Sequence, residues 1–164
     1  MKKLNYLLLL FIVSLSFACS SEDENPKLVE KGVTIEVEMD GNYDDYLVTF
    51  SVHSMLSGTS TFVSPVLDQP TELNWTQVIE QGNTYTLSFE PEVPTILATS
   101  SDPVHSLGLV FNAVHLGGET DDSFQPLSAT VNVLADGEVY RQFEYEAMAP
   151  GATSVPLAEE ITFQ

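Results

Sequence analysis

Apolar and polar residues alternate along much of this chain with a period of two. In the segments 33–40 and 46–53 an apolar side chain stands at nearly every second position, with mostly polar or charged side chains between them. Because successive side chains of a β-strand point to opposite faces of a sheet, this pattern predicts two strands, each with one buried and one solvated face. Residues 41–45, which contain Gly, Asn and Asp, predict the turn between them.

A second pair of strands is predicted around Gly82 and Asn83. The segment 73–79 precedes this turn and the alternating segment 85–89 follows it. A short helix over residues 71–81 is the alternative for the first segment, because a Thr stands at its start and a Gly just past its end. The alternation and the β-branched residues favour the strand.

A third hairpin is predicted near the C-terminus. The alternating segments 127–133 and 139–145 flank Asp136-Gly137, a pair that favours a tight turn between antiparallel strands. Residues 161–163 are expected to close the chain as a last strand.

The segment 107–116 differs from the others because it is apolar at both parities, apart from Asn112 and His115. Such a run predicts a central strand that is covered on both faces. In total about nine short strands are linked by Gly, Pro, Asn and Asp turns, which indicates an all-β domain. An antiparallel two-sheet β-sandwich, immunoglobulin-like or jelly-roll, is the favoured architecture, and an eight-stranded lipocalin-like barrel is the alternative.

The first 18 residues have the three parts of a secretory leader. Lys2 and Lys3 precede an apolar run over 4–17, and the small residue Ala18 stands at the expected cleavage position. The run is too short to span a bilayer comfortably. The next residue is Cys19, the only cysteine of the chain, whose thiol and new amino group would become available for acylation.

This arrangement resembles the lipobox of bacterial lipoproteins, in which a small residue precedes the lipid-bearing cysteine. The run Ser20-Ser21-Glu22-Asp23-Glu24 resembles the serine and acidic export signal of Bacteroidota-type surface lipoproteins. The resemblance covers residues 1–26 and implies an outer-membrane lipoprotein that faces the cell exterior. Ordinary leader cleavage after Ser16-Phe17-Ala18, which would release a soluble secreted protein, is the alternative. We therefore expect a signal peptide at 1–18, a lipidated acidic tether at 19–32 and one domain at 33–164.

The charge of the mature chain restricts its partners. Loss of residues 1–18 removes two of the five basic residues and none of the 24 acidic ones, so three bases and a formal charge of −21 remain. A field of this sign repels nucleic acid and anionic lipid headgroups, and attracts cations. The membrane is therefore expected as a partner only through the lipid anchor, and nucleic acid is excluded.

Two acidic loops are candidate calcium sites, because Ca²⁺ prefers six to eight oxygen ligands. The first loop does not fit the EF-hand pattern, since its sixth position is Asp45 rather than Gly and its twelfth is Ser51 rather than Glu. Asp, Asn and Gly are also the usual residues of tight turns, which explains the same loops without a metal. No other cofactor is indicated. The candidate ligands are Asp40, Asn42 and Asp44 in the first loop, and Glu119, Asp121 and Asp122 in the second.

Two tyrosines are candidates for ligand contact. Tyr43 lies in a predicted turn, and Tyr140 shares the parity of the polar residues around it, so both are expected to be exposed. Trp75, Tyr46 and Tyr85 share the parity of apolar neighbours and are expected to be buried.

No catalytic motif is present. The pairs Glu36 with Glu38 and Glu144 with Glu146 are about 6.6 Å apart by strand rise, but any solvated strand with alternating Glu has this separation. We therefore expect a lipid-anchored, surface-exposed, non-catalytic binding or accessory module for a glycan, a protein or another envelope component. A barrel that carries a small apolar ligand and a two-carboxylate glycan hydrolase are the alternatives.

Overall fold

The computed structural model describes residues 27–78, 83–117, 120, 122–148, 150 and 153–164, which form ten β-strands and one short 3-10 turn at Tyr43–Asp45. The strands are β1 (Val33–Asp40), β2 (Tyr46–Leu56), β3 (Pro65–Gln69), β4 (Thr76–Val78), β5 (Thr84–Phe89), β6 (Thr95–Ser100), β7 (Ser106–His115), β8 (Ser128–Ala135), β9 (Glu138–Glu146) and β10 (Leu157–Thr162). None of the described residues belongs to a helix of the length and apolarity that crossing a membrane requires.

The strands form two five-stranded antiparallel sheets. The order is β3-β6-β1-β8-β9 in the first sheet and β10-β7-β2-β5-β4 in the second. Their inner faces share one hydrophobic core, and the sheets are not closed into a barrel. The predicted β-sandwich is confirmed. The alternative prediction of a lipocalin-like barrel is wrong. The hypothesis that a small apolar ligand is carried inside such a barrel therefore no longer applies.

Large side chains from both sheets fill the space between them. In β1 every second residue from Val33 is buried, as the alternation predicts. The aromatic residues Tyr46, Phe50, Phe111 and Phe163 are fully enclosed. Burial of this apolar surface drives the packing of the two sheets, because each strand is apolar on its inner face only.

Strand β7 is covered on one face rather than two, which corrects the expectation for residues 107–116. It lies inside the second sheet, between β10 and β2, and the inner side chains of Leu109 and Phe111 are fully buried. On the outer face Val114 is 45% exposed. A two-layer sandwich has no third layer to cover that face. The apolar residues on both faces of β7 therefore reflect its central position in the sheet, not burial of both faces.

The predicted strand at 73–79 is shorter than expected. Only Thr76–Val78 pair with β5, in an antiparallel hairpin. Residues 73–75 are irregular, so the alternative helix does not form there. Ile79 and Gly82 lie outside the described residues.

The chain joins the sandwich from Val29 onward, within the segment that the sequence assigns to the tether. Val29 donates its backbone N–H to the Phe163 carbonyl at 3.1 Å, and Lys31 forms an isolated antiparallel bridge with Val104. The folded part therefore begins four residues earlier than Val33.

Tyr145 links the two sheets in the core. Its hydroxyl accepts a hydrogen bond from the Ala113 backbone N–H at 3.0 Å and lies 3.3 Å from the Ala113 carbonyl, while its ring packs edge-on against Phe111. Ala113 lies beyond the end of the β10 ladder, which reaches only to Phe111. The tyrosine hydroxyl thus serves backbone groups that lack a strand partner on that side.

Replacing Tyr145 with phenylalanine is expected to lower the free energy of unfolding by about 1–3 kcal/mol, because it leaves buried backbone groups without this partner. Chemical denaturation measures the change. Tyr43→Phe is the matched control, since the Tyr43 hydroxyl makes no hydrogen bond within the described part of the chain. Equal effects of the two substitutions would contradict this role.

Candidate functional site

The sandwich has two distinct ends. At the entry end, where residues 29–32 join the strands, Glu30 accepts a hydrogen bond from the Gly58 backbone and Lys31 contacts Asp136. At the far end β1 stops at Asp40, and the loops 41–45 and 90–94 come together with residues 116–117 and 122–127. The two ends are called the entry end and the far end.

Asp136 fixes the chain at the entry end. One carboxylate oxygen accepts from the Lys31 ammonium group at 2.8 Å and the other from the Gly32 N–H at 3.0 Å. The hydrogen bond with Lys31 lowers the pKa of Asp136 and raises the pKa of Lys31. The contact is therefore present at neutral pH and is lost as acid protonates Asp136. Asp136 and Gly137 both have positive φ, as the predicted tight turn requires.

At the far end, the first candidate calcium loop lies against described residues that flank the second. Asn42 pairs with Gln125 twice, through backbone N–H to carbonyl at 2.9 Å and through its side-chain oxygen, which accepts from the Gln125 N–H at 2.7 Å. Leu116 also donates its N–H to the Asp45 carbonyl at 3.0 Å. Segments about 80 residues apart in the sequence thus form one surface.

Two of the candidate calcium ligands are used for hydrogen bonds that shape the turn. Asp40 accepts from the Gly41 N–H at 2.8 Å, and Asn42 holds the loop to Gln125. The side chains of Asp44 and Asp122 are exposed. Glu119 and Asp121 lie outside the described residues. Within the part of the chain that is described, no three His, Cys, Asp or Glu side chains are grouped closely enough to hold a metal ion.

An aromatic stack connects this loop pair to the core. The His115 ring packs edge-on against Tyr46 at 5.1 Å and against Phe124 at 5.3 Å, and its Nδ1 accepts from the Gly117 N–H. Burial raises the pKa of Tyr46, although a backbone interaction with Leu127 acts in the opposite direction. The Tyr46 hydroxyl has no hydrogen bond of normal geometry within the described residues.

The other histidines lie elsewhere on the molecule. His53 covers Gly108 on the outer face of the second sheet, and its Nδ1 is 3.6 Å from a Glu160 carboxylate oxygen. His105 lies near the entry end, where its backbone carbonyl accepts from the Phe163 N–H. The three imidazoles therefore do not converge.

Both candidate tyrosines are less exposed than expected. Tyr43 is half-buried against the core. Tyr140 packs against Phe163 with 5.0 Å between ring centroids, donates its hydroxyl to the Thr162 carbonyl, and carries the Arg141 guanidinium over its ring. The parity argument for Tyr140 is wrong.

A β-bulge explains the misplaced parity. The pairing of β8 with β9 shifts between Val133, which pairs with Arg141, and Leu134, which pairs with Val139. Tyr140 is the extra residue of this bulge, and one inserted residue reverses which face the following side chains occupy. Tyr140 is therefore turned toward the core, and Val139 is 62% exposed.

The carboxylate pairs lie on the open outer face of the first sheet. Glu38 pairs across β1 and β8 with Thr130, and Thr130 donates to Glu144 on β9 at 3.1 Å. Glu36 is half-buried, whereas Glu38, Glu144 and Glu146 are exposed. None of these residues lines any of the three surface depressions described next.

Three neighbouring depressions follow the edge of the sandwich where the chain crosses from β3 to β4. The largest, about 360 Å³, is the edge groove, which lies between Leu73 and Asn74 on one side and Leu87 and Ser88 on the other. Two smaller depressions, of about 100 and 300 Å³, continue around Pro70 toward the far end. Three exposed carboxylates line the two smaller depressions and form the acidic rim: Glu72, Glu90 and Glu92.

The residue pattern of the sequence does not predict this surface. Its only signal is the run Glu90-Pro91-Glu92-Val93-Pro94, which marks a proline-rich acidic loop. That run cannot show that the loop faces residues 69–76 across the sheet edge.

Comparison with solved structures shows the same fold in Bacteroidales proteins. A DUF4425 family protein from Bacteroides ovatus has a TM-score of 0.60 at 13% identity, covering 80% of this chain and 96% of that one. A DUF4425 domain of unknown function from Bacteroides vulgatus has 0.57 at 12%, covering 82% and 97%. The calcium-bound form of a protein from Parabacteroides distasonis has 0.51 at 14%, covering 83% and 98%. No family model and no curated protein sequence matches the chain.

Proposed function

We propose that the protein is a non-catalytic binding module that a lipid on Cys19 holds at the cell surface. The observation that carries this proposal is the separation of its two ends. The chain enters the sandwich through Val29 and Lys31, whereas the loops and depressions lie along one edge and at the far end. Ten residues separate Cys19 from Val29 and span at most about 35 Å. An anchor at Cys19 therefore keeps the entry end within this distance of the lipid and leaves the far end free to face away from it.

The chemistry of the depressions favours binding over catalysis. The edge groove is lined by apolar side chains, hydroxyls and one amide. The carboxylates that could act in pairs lie on an open sheet face instead. Catalysis by two carboxyl groups requires both to face one substrate in a cleft, and none of these carboxylates lines any of the three depressions.

Surface display can be tested with an added thiol. Cys19 is the only cysteine, and a thioether at that position cannot react with a maleimide. In Met148→Cys the new thiol lies at an exposed position close to Leu127, near the far end. We expect a membrane-impermeant maleimide to label Met148→Cys on intact cells and to leave the wild type unlabelled. Labelling only after the outer membrane is permeabilised would refute surface display.

We propose in addition that the far-end loop pair binds Ca²⁺. This is supported by the contact of Asn42 in the first acidic loop with Gln125, which follows the second loop, and by the exposed carboxylates of Asp44 and Asp122. One structure of the same fold, from P. distasonis, is a calcium-bound form. Oxygen donors of this kind are what Ca²⁺ prefers.

Calcium is expected to raise the melting temperature by a few degrees at concentrations well above its Kd, because a ligand of the native state stabilises it by mass action. Differential scanning calorimetry with Ca²⁺, with Mg²⁺ and with a chelator measures the shift. Asp44→Asn is expected to reduce it, whereas Glu38→Gln on the outer face of β1 removes the same charge and should not. An identical response to Mg²⁺, or equal losses in both variants, would indicate general charge screening and contradict the site.

A further inference from the structure

Strand β5 is longer than the strand that flanks it on the outer side. β4 pairs with Thr84–Thr86 only, whereas β2 pairs on the other side with all of Tyr85–Phe89. Residues 87–89 therefore have a strand neighbour on one side alone. Within the described residues, no backbone hydrogen bond joins them to the segment 70–75. An unpaired stretch of this kind exposes backbone donors and acceptors that another strand can use.

The edge groove lies along this unpaired stretch. Leu87 and Ser88 form one wall, and Leu73 and Asn74 form the other. Three residues of an added strand would cover about 10 Å of the β5 edge. Phe89 and the exposed Val93 line the next depression, so apolar contacts continue beyond the backbone edge.

The acidic residues near the groove favour a positively charged ligand. Glu72, Glu90 and Glu92 are exposed, and within the described part of the chain none of them forms an ion pair. No basic residue lines any of the three depressions. The formal charge of the chain, −19 in full length, adds a long-range field that attracts cations.

We propose that the edge groove binds an extended, positively charged peptide segment of a partner protein, which adds to β5 as a short strand along residues 87–89. Backbone hydrogen bonds to the strand edge supply part of the affinity. Lysine or arginine side chains of the segment lie against the acidic rim, and its apolar side chains enter the groove beside Leu73. An oligosaccharide has no backbone that continues a β-ladder, so the open edge favours a peptide. This inference rests on the proposed binding function and names its ligand class.

The test uses the full-length mature protein in detergent and three synthetic peptides. The first alternates lysine and valine, the second alternates glutamate and valine, and the third is the lysine peptide with every second amide N-methylated. Fluorescence anisotropy measures each Kd. We expect the lysine peptide to bind, the glutamate peptide not to bind, and the N-methylated peptide to bind at least about tenfold more weakly, because it keeps the charge and loses strand hydrogen bonds.

Charge variants locate the site. The triple variant Glu72→Gln, Glu90→Gln, Glu92→Gln is expected to weaken binding of the lysine peptide by about tenfold, since each exposed charge contributes up to about 1 kcal/mol. The control triple Glu36→Gln, Glu38→Gln, Glu144→Gln removes the same charge from the opposite sheet and should change the Kd less than twofold.

Any one of four results would overturn the inference, and the first three concern the peptides and the charge variants. They are no binding of the lysine peptide at millimolar concentration, equal binding of the N-methylated peptide, and equal weakening by both triple variants. An oligosaccharide that binds at the groove in place of the peptide would do the same. None of these results affects the labelling of Met148→Cys, so failure of this inference is distinct from failure of surface display.

Discussion

Gly41→Ala is expected to lower the free energy of unfolding by about 2–5 kcal/mol. Gly41 has a φ of +84°, a conformation that costs an L-residue about 1–2 kcal/mol. A Cβ at this position would also overlap the Pro126 carbonyl oxygen and lie 3.0 Å from the Gln125 oxygen. These are backbone atoms, so relief of the overlap requires the two far-end loops to separate, at a further cost of about 1–3 kcal/mol.

Gly137→Ala is the matched control for this prediction. Gly137 has nearly the same φ, +86°, but a Cβ there would meet nothing within 4 Å. Its substitution should therefore cost only the conformational part, about 1–2 kcal/mol. Urea denaturation of the two variants separates the overlap from the backbone strain. Equal losses would show that the loop 41–45 is not held closely against residues 125–126.

Cys19→Ala is expected to move the protein from the membrane fraction to the soluble fraction. The lipid chains are the only proposed membrane contact, and a chain of this negative charge has no electrostatic affinity for anionic headgroups. Ser16-Phe17-Ala18 still permits ordinary leader cleavage, so the variant should be released. Quantitative blotting of the two fractions measures the change, and mass spectrometry confirms that the leader is removed.

Ser20→Ala is the control for the anchor, because it alters the neighbouring residue and keeps the thiol. It should remain in the membrane fraction. If Cys19→Ala partitions as the wild type does, the lipid anchor is wrong.

The strands with strict alternation could be predicted from the sequence. β1, β2, β8 and most of β9 were each indicated by a long period-two pattern, and the turn between β8 and β9 by Asp136-Gly137. These features are local, so the sequence carries them directly. The sandwich follows from the number of such strands and from their single apolar faces.

Two strands were missed because their signals are weak. β3 is five residues long, starts with a proline and lies at a sheet edge. β6 buries only Ile96 and Ala98, between threonines. Short strands owe their structure to their neighbours more than to their own residues, and one of the two partners of β6 is β1, about 60 residues earlier in the chain.

The candidate site was predictable only in part. The acidic loops were visible in the sequence, but their contact through Asn42 and Gln125 depends on the order of the strands. The position of Tyr140 depends on a bulge, which leaves no mark on the residue pattern. The edge groove exists because β4 is three residues long beside a six-residue β5. A difference in length between paired strands is a property of the fold and cannot be read from either segment alone.

Mass spectrometry of the N-terminal peptide of the mature protein, extracted from membranes with detergent, tests the proposed anchoring most directly. We predict a peptide that begins at Cys19, carries a thioether-linked lipid and an amide-linked acyl chain, and has no thiol that reacts with maleimide. An unmodified N-terminus with a free Cys19 thiol, on protein recovered from the culture medium, would contradict the account.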